Sequence, residues 1–208
     1  MKDVKIRDIY ITVILMAVNL LLFIVPLIIC GCVPVDVIVR LGAQYWPFIK
    51  AGEWWRLIIC NFLHFSAEHL MFNMIALFAL GTNMEPCLGH LRYAILYMLS
   101  GIGGSTLSYV VNMLMSDDIV AAGASTSVYG LLGAMACIVF LGFGERVGIR
   151  FSKKRFFILA FINVAGSVWK MEFIDIAGHA GGFVTGVLVC LVMMLLTRRK
   201  HTDGKTET

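Results

Sequence analysis

Five polar side chains stand out in an otherwise strongly apolar chain: His64, His69, Asn73, Ser125 and His179. Their types suit one kind of chemistry. A serine hydroxyl becomes a useful nucleophile when a base takes its proton, and histidine is the usual base. Ser125, or its neighbour Ser127, could therefore act with His179 in acyl transfer. Such chemistry also needs donors aimed at the developing oxyanion. His69 and Asn73 stand at i and i+4, which puts both on one helix face. The backbone N–H of Ser125, at the mouth of a helix, would add another donor. Taken singly, each residue has a plainer reading: Ser125 as a small packing residue, His179 as an interhelical hydrogen-bonding group, His69 and Asn73 as a polar anchor. Their positions along the chain decide between the two.

The chain has 208 residues, is 60% hydrophobic and 14% charged, and has a mean hydropathy of +0.88. Globular domains carry about a quarter charged residues, so the solvent for most of this chain is lipid. Apolar runs predict an all-α polytopic membrane protein, a six-transmembrane-helix bundle. The spans fall at roughly 10–30, 69–84, 92–114, 122–143, 156–169 and 174–197. The chain reads as a single membrane domain, 1–208, with a short N-terminal segment (about 1–9), a long first loop (31–63) and a polar tail (198–208). No internal repeat is evident.

Lys and Arg set the orientation. Six spans place Lys2, Lys5, Arg7, Arg92, Arg146, Arg150, Lys153, Lys154, Arg155, Arg198, Arg199, Lys200 and Lys205 on one side. Arg40, Lys50, Arg56 and Lys170 fall on the other, a split of 13 to 4 of the 17 basic residues. Both termini are therefore predicted to be cytoplasmic. The net charge of +4 is explained by basic loops facing anionic lipid, with no nucleic-acid partner. The first apolar run is longer than the usual signal core and five more spans follow, so an uncleaved first helix is expected. Of the six cysteines, Cys60, Cys87, Cys137 and Cys190 lie in or beside spans, where cysteine behaves as a small apolar residue. Cys30 and Cys32 are too close in sequence to bridge comfortably, and no metal-binding spacing appears.

Spans two, four and six all begin on the side poor in Lys and Arg. His69, Asn73, Ser125 and His179 thus share one depth, near the outer leaflet. Ionisable groups inside a membrane are expensive and usually functional. The sixth span carries Gly178, Gly182 and Gly186 at four-residue spacing, and the fourth answers with Gly123, Ser127, Gly130 and Ala134. Small residues at this spacing let helix backbones approach closely, which would bring a short serine within reach of an imidazole.

These residues stand in blocks that resemble the rhomboid intramembrane serine proteases. WWRL at 54–57 is similar to the family's Trp-Arg motif, and HFSAEHLMFN at 64–73 to its His-x4-His-x3-Asn pattern. GTNMEPCLG at 81–89 fits Gly-x3-Glu-x3-Gly, GASTSVYG at 123–130 fits Gly-x-Ser-x4-Gly, and AGHAGGFVTG at 177–186 carries His-x-Gly-Gly. The blocks run in order from about residue 46 to 190. The resemblance implies Ser125 as nucleophile and His179 as general base, with His69, Asn73 and the Ser125 amide as the oxyanion hole. It implies that Tyr129 holds the base histidine, that Arg56 orders the first loop, and that Glu85 belongs to a polar network near the cytoplasmic end of span two. His64 and Gly123 are supporting positions in the same blocks, and the Gly-x-Ser register favours Ser125 over Ser127. No cofactor or metal is implied. The substrates implied are single-pass or other transmembrane proteins, cut in or near their membrane segments.

One residue departs from the pattern. The family commonly has Gly after the nucleophile, and here Thr126 stands there. A β-branched residue restricts the backbone, and is expected to narrow specificity while leaving the dyad in place. The first loop, with Trp46, Pro47, Phe48, Trp54 and Trp55, is expected to sit partly in the outer leaflet, where aromatics favour the interface. The short fifth span, beginning RFFILAF, is the candidate lateral gate. Two other functions compete. A catalytically silent relative that binds membrane-protein clients would keep the fold while losing Ser or His, and this chain keeps both. A transporter would spread polar residues through the full bilayer depth, whereas LLGAMACIVF and GVLVCLVMMLL are almost wholly apolar. A cell-membrane location is expected, and the oligomeric state is not legible.

Overall fold

The computed structural model describes residues 5–141, 152–168 and 174–203. Lys2, Arg146, Arg150, Lys170 and Lys205, counted in the charge argument, lie outside these residues, as do the side chains of Arg198, Arg199 and Lys200. The described chain is helical. Six longer helices are α1 (Tyr10–Cys30), α5 (Ala67–Leu88), α6 (His90–Met115), α7 (Ser125–Phe140), α8 (Lys153–Val168) and α9 (Ile176–Asp203). Between α1 and α5 the chain forms three short helices, α2 (Val35–Leu41), α3 (Trp46–Lys50) and α4 (Arg56–Ile59), followed by a 3-10 turn at Cys60–Phe62. The 31–63 segment is therefore a folded subdomain. It is longer than a connection but too broken for a span.

By length and apolarity α1, α6 and the Ile176–Leu196 part of α9 can each cross a bilayer, and α5 joins Arg56–Phe62 as a pair bent by 92°. The helix α7 is only 16 residues long, about 24 Å at the usual rise. It can be short because it is the hub: it touches α5, α6, α8 and α9, and Leu131, Ala134 and Met135 are fully buried. In contrast α1 lies at the periphery against α5 and α6, with Ile14, Leu21, Val25 and Ile28 exposed as lipid-facing residues would be. The main core is built from α5 to α9.

The tightest packing is where small residues let backbones meet. A Cβ added at Gly182 of α9 would collide with the Thr126 carbonyl of α7, and one at Gly186 would collide with the Gly130 carbonyl. From the other side, Gly133 makes room for the Phe183 backbone. The α7 face is thus Thr126, Gly130 and Gly133, with the Ala134 carbonyl meeting Cys190 Sγ of α9 at 3.7 Å; Gly130 and Ala134 lie on the face expected from sequence, and Gly123 and Ser127 do not. Gly123 precedes the helix, and Ser127 points instead at Gly101 of α6.

Polar groups tie the periphery to this core. Glu85, fully buried, accepts from the Ile11 and Thr12 amides (2.9 and 2.8 Å) and from Thr12 Oγ1 (2.6 Å), and pairs with His90 Nδ1 at 2.7 Å. It caps α1 from a different helix, satisfying amides that a helix start leaves without intrahelical partners. Arg56, only 4% exposed, organises the 31–63 segment. It donates to the Val39 and Ala43 carbonyls (2.6 and 3.0 Å), pairs with Glu53 at 2.7 Å, and lies over the Phe48 and Trp55 rings. A buried guanidinium is tolerable when its donors are met in this way. Finally Gln44 and Ala121 exchange backbone hydrogen bonds (2.8 and 2.9 Å), fastening that segment to the approach of α7.

Candidate active site

Ser125 is the first residue of α7, and local sequence explains why the helix starts there. Gly123 has φ +141°, a conformation side-chain-bearing residues rarely adopt, and its amide donates to the Cys60 carbonyl at 2.9 Å. A Cβ at this position would also lie 2.8 Å from His69 Nε2 and 3.7 Å from Ser125 Oγ. Gly123 therefore turns the chain and lets the imidazole and the hydroxyl stand on either side of it. The first amides of α7 have no side-chain cap, leaving N–H groups and the positive end of the helix dipole beside Ser125.

His179 Nε2 lies 2.9 Å from Ser125 Oγ, across 54 residues of sequence. The imidazole is stacked on Tyr129, one turn along α7, with ring centroids 4.3 Å apart and planes 12° from parallel. Both Ser125 and His179 are half-buried, so the pair is shielded without being sealed. Its spacing depends on the backbone approach at Gly182, which is less than one turn from His179.

His69 is N3 of α5, set there by Ser66, whose Oγ accepts the His69 amide at 3.1 Å. Its ring is sandwiched between Phe65, stacked at 6.3 Å, and the edge of His64 at 5.0 Å. His69 Nδ1 is buried and has no partner among the described residues, and neither has either nitrogen of the fully buried His64. Asn73 donates one amide hydrogen to the His69 carbonyl at 3.1 Å. The structure thus brings Ser125, His179, Tyr129, Gly123 and His69 together, with Asn73 one turn below His69 and His64 behind it. Arg56 and Glu85 lie elsewhere, in the two networks described above. Ser127 is 1% exposed and faces α6, away from His179.

Three residues of this neighbourhood carry no signal that the sequence reading used. Asp175 caps α9, accepting the Gly178 amide at 2.8 Å. Standing one residue before the helix, its carboxyl is held above the ordinary carboxylate range, chiefly by burial. The Asp-x-x-Gly spacing at a helix start was the available clue. Asn61 and Cys60, in the 3-10 turn, touch the start of α7 through Thr126 and Gly123. Thr126 itself is 6% exposed and faces the interior between α6 and α9. Its side chain does not reach the surface that carries Ser125 Oγ. Among the described residues no three His, Cys, Asp or Glu side chains are grouped to hold a metal ion.

A multi-pass helical membrane protein with this constellation has relatives. Residues 51–196 match the family model described as the Rhomboid domain, and the chain belongs to that family. It is 35% identical to RHOMBOID-like protein 4 of Arabidopsis thaliana over 154 residues, 74% of this chain and 38% of that protein. It is 31% identical to the Rhomboid protease GluP of Bacillus subtilis (strain 168) over 184 residues, 88% of this chain and 35% of the other. It is 32% identical to Rhomboid-like protease 3 of Toxoplasma gondii over 157 residues, 72% and 56% of the two chains. The matches thus span between about a third and somewhat over half of these curated relatives.

Proposed function

We propose that this chain is an intramembrane serine endopeptidase that hydrolyses peptide bonds in or near the transmembrane segments of other membrane proteins. Ser125 is the nucleophile and His179 the general base. The observation that carries the reading is the 2.9 Å contact between His179 Nε2 and Ser125 Oγ at the open N-terminus of α7. Two relatives named as proteases, from Bacillus subtilis and Toxoplasma gondii, support it.

The geometry suits the following sequence of steps. Neutral His179 accepts the Ser125 hydroxyl proton at Nε2 as Oγ forms a bond to the scissile carbonyl carbon. The carbonyl oxygen becomes an oxyanion, held by the Ser125 amide, His69 and the remaining N–H of Asn73. Its collapse breaks the C–N bond, and His179 returns the proton to the leaving amine. Water, deprotonated by His179, then attacks the acyl ester and releases Ser125. Tyr129, flat against the imidazole, keeps Nε2 turned toward Oγ through both halves.

The bundle makes six crossings with both termini cytoplasmic, and the dyad lies toward the outer leaflet of the cell membrane. The charge split and the common depth of His69, Ser125 and His179 support this orientation. The exposed rings of Trp54 and Trp55 lie at the outer interface, and α8, packed on α5 and α7, is the mobile wall for substrate entry. Purified protein in liposomes with a fluorogenic transmembrane peptide tests the reading. Cleavage by the wild type that is lost in Ser125→Ala and in His179→Ala is expected. Cleavage that survives Ser125→Ala would overturn it. A disulfide joining α8 to α5 should block cleavage of a membrane substrate, and unchanged cleavage would refute the gate.

A further inference from the structure

We propose that Thr126 and Asn61 form a hydrogen-bonded clamp that positions Ser125, making Thr126 a positioning residue for the reaction. This rests on the serine-protease reading and goes beyond it. The residue after Ser125 is buried at the start of α7, and the structure gives its hydroxyl a partner.

Thr126 Oγ1 is hydrogen-bonded to Asn61 Oδ1, across 65 residues of sequence. The direction of that bond is fixed by the other half of the amide. Asn61 Nδ2 donates to the Leu57 carbonyl at 2.8 Å and to Ser105 Oγ at 3.1 Å, so Oδ1 must face α7, and the threonine hydroxyl is the donor. Asn61 is 3% exposed and Thr126 6% exposed. At that burial an unmet polar atom is costly. With Gly at 126, Asn61 Oδ1 would keep only the long contact to Ser105 Oγ at 3.4 Å.

The surroundings leave Thr126 no alternative placement. A Cβ at Gly104 of α6 would come within 2.8 Å of the Thr126 Cβ, and Gly182 of α9 lies against the Thr126 backbone. Gly101 leaves space for the Asn61 amide, whose Oδ1 would be 2.8 Å from a Cβ there. A β-branched side chain has few χ1 options, and here its methyl-bearing carbon is wedged between two helices while its hydroxyl is held by a third element. That fixes the rotation of the first turn of α7 about its own axis. A rotation of about 20° moves a helical Cα by about 0.8 Å at a radius of ~2.3 Å, and the side-chain oxygen further. Misplacement of about 1 Å can lower a rate by about 100-fold. The bland account, that Thr126 merely fills space, predicts that valine would serve as well.

The test compares Thr126→Val, Thr126→Ser, Thr126→Gly, Asn61→Leu and the Thr126→Val/Asn61→Leu pair in liposomes. It reads kcat and KM on a fluorogenic transmembrane peptide, the rate of Ser125 modification by a fluorophosphonate, and thermal melting. Thr126→Val should lower kcat and the labelling rate by about tenfold or more, with KM within about twofold. Thr126→Ser, which keeps the donor, should stay within about threefold of the wild type. Thr126→Gly should lose activity. The double variant should be no worse than the more impaired single one, because both break one contact. The clamp is overturned by a Thr126→Val or Thr126→Gly enzyme within threefold of wild type, by Thr126→Ser falling as far as valine, or by single losses that multiply. If Thr126→Val does not fold, the glycine and serine variants make the same comparison. A wild type that neither cleaves nor labels at Ser125 overturns the protease reading and the clamp with it, whereas an active wild type with indifferent Thr126 variants overturns the clamp alone.

Discussion

Substituting Gly182 by alanine puts one methyl group where α7 and α9 are closest, directly beneath the dyad. The new Cβ would stand 2.9 Å from the Thr126 carbonyl carbon and 3.2 Å from its Cα, and closer still to the carbonyl oxygen. All three are backbone atoms and cannot rotate away, so the helices must part until these contacts become ordinary. That requires a displacement of about 0.5–1 Å, and overpacking of this kind typically destabilises by about 1–3 kcal/mol. The functional effect should be larger than the stability effect. His179 is three residues from Gly182 and Ser125 adjoins Thr126, so the same displacement acts on a contact of 2.9 Å. Lengthened by that amount, it leaves hydrogen-bond range, and kcat should fall by about 100-fold. Gly103→Ala is the comparison, because the atoms nearest its new Cβ all belong to the side chain of Thr185 on α9, with Cγ2 at 2.8 Å and Cβ at 2.9 Å. It should lower the melting temperature while leaving kcat within about threefold. The assay is peptide cleavage in liposomes at saturating substrate, paired with thermal melting of each variant. A Gly182→Ala enzyme with near wild-type kcat would refute the claim that backbone approach at this glycine sets the dyad distance.

Other expectations follow from the polar contacts. Glu85→Gln replaces an acceptor of four donors by an amide that must turn N–H groups toward N–H groups, so it should destabilise by about 1–3 kcal/mol. An unchanged melting temperature would contradict the capping role. Tyr129→Ala removes a stacked ring worth about 0.5–1.5 kcal/mol and should lower kcat more than Tyr129→Phe, which keeps the ring. Equal losses would count against stacking as the means of holding His179. Asp175→Ala should lose a helix cap worth about 1 kcal/mol, and Asp175→Asn should keep it. Because burial holds the Asp175 carboxyl above its ordinary range, its contribution to wild-type stability is greatest at low pH and is lost as pH rises through the raised folded value. The asparagine variant should lose that dependence, which denaturation at two pH values would show. The rate itself should fall on acidification, since Ser125 needs a neutral His179; a rate that rises steadily on acidification would contradict His179 as base.

Much of this was legible in the residues, for reasons that differ by element. The boundaries of α1 coincide with its apolar run because the helix is peripheral and most of its faces meet lipid. At α7 the apolar run begins before the helix does, since Gly123 and Ala124 belong to the turn that aims Ser125. The 31–63 segment offered no periodic signal, because α2, α3 and α4 are one or two turns each, held by Arg56 and by scattered apolar anchors such as Ile38, Ile49 and Leu63 that form no stripe along any one helix. Small-residue spacing pointed to a close α7–α9 contact and gave Gly130 and Ala134 correctly, but it missed Thr126 and Gly133 and wrongly included Gly123 and Ser127, since the helix starts only at Ser125. Shared depth and motif spacing singled out Ser125, His69 and His179. Lateral proximity depends on packing, and only the structure places His179 beside Ser125. The Asn61 contact to Thr126 joins two ordinary residues 65 positions apart, and nothing local in either stretch marks it.

The most direct measurement of the central claim is covalent capture of the nucleophile. Wild-type protein in liposomes is treated with a fluorophosphonate, and the adduct is located by mass spectrometry alongside Ser127→Ala and His179→Ala. The account predicts modification at Ser125 in the wild type and in Ser127→Ala, with the rate collapsing in His179→Ala. An adduct on Ser127, or labelling of Ser125 that is indifferent to the loss of His179, would contradict it.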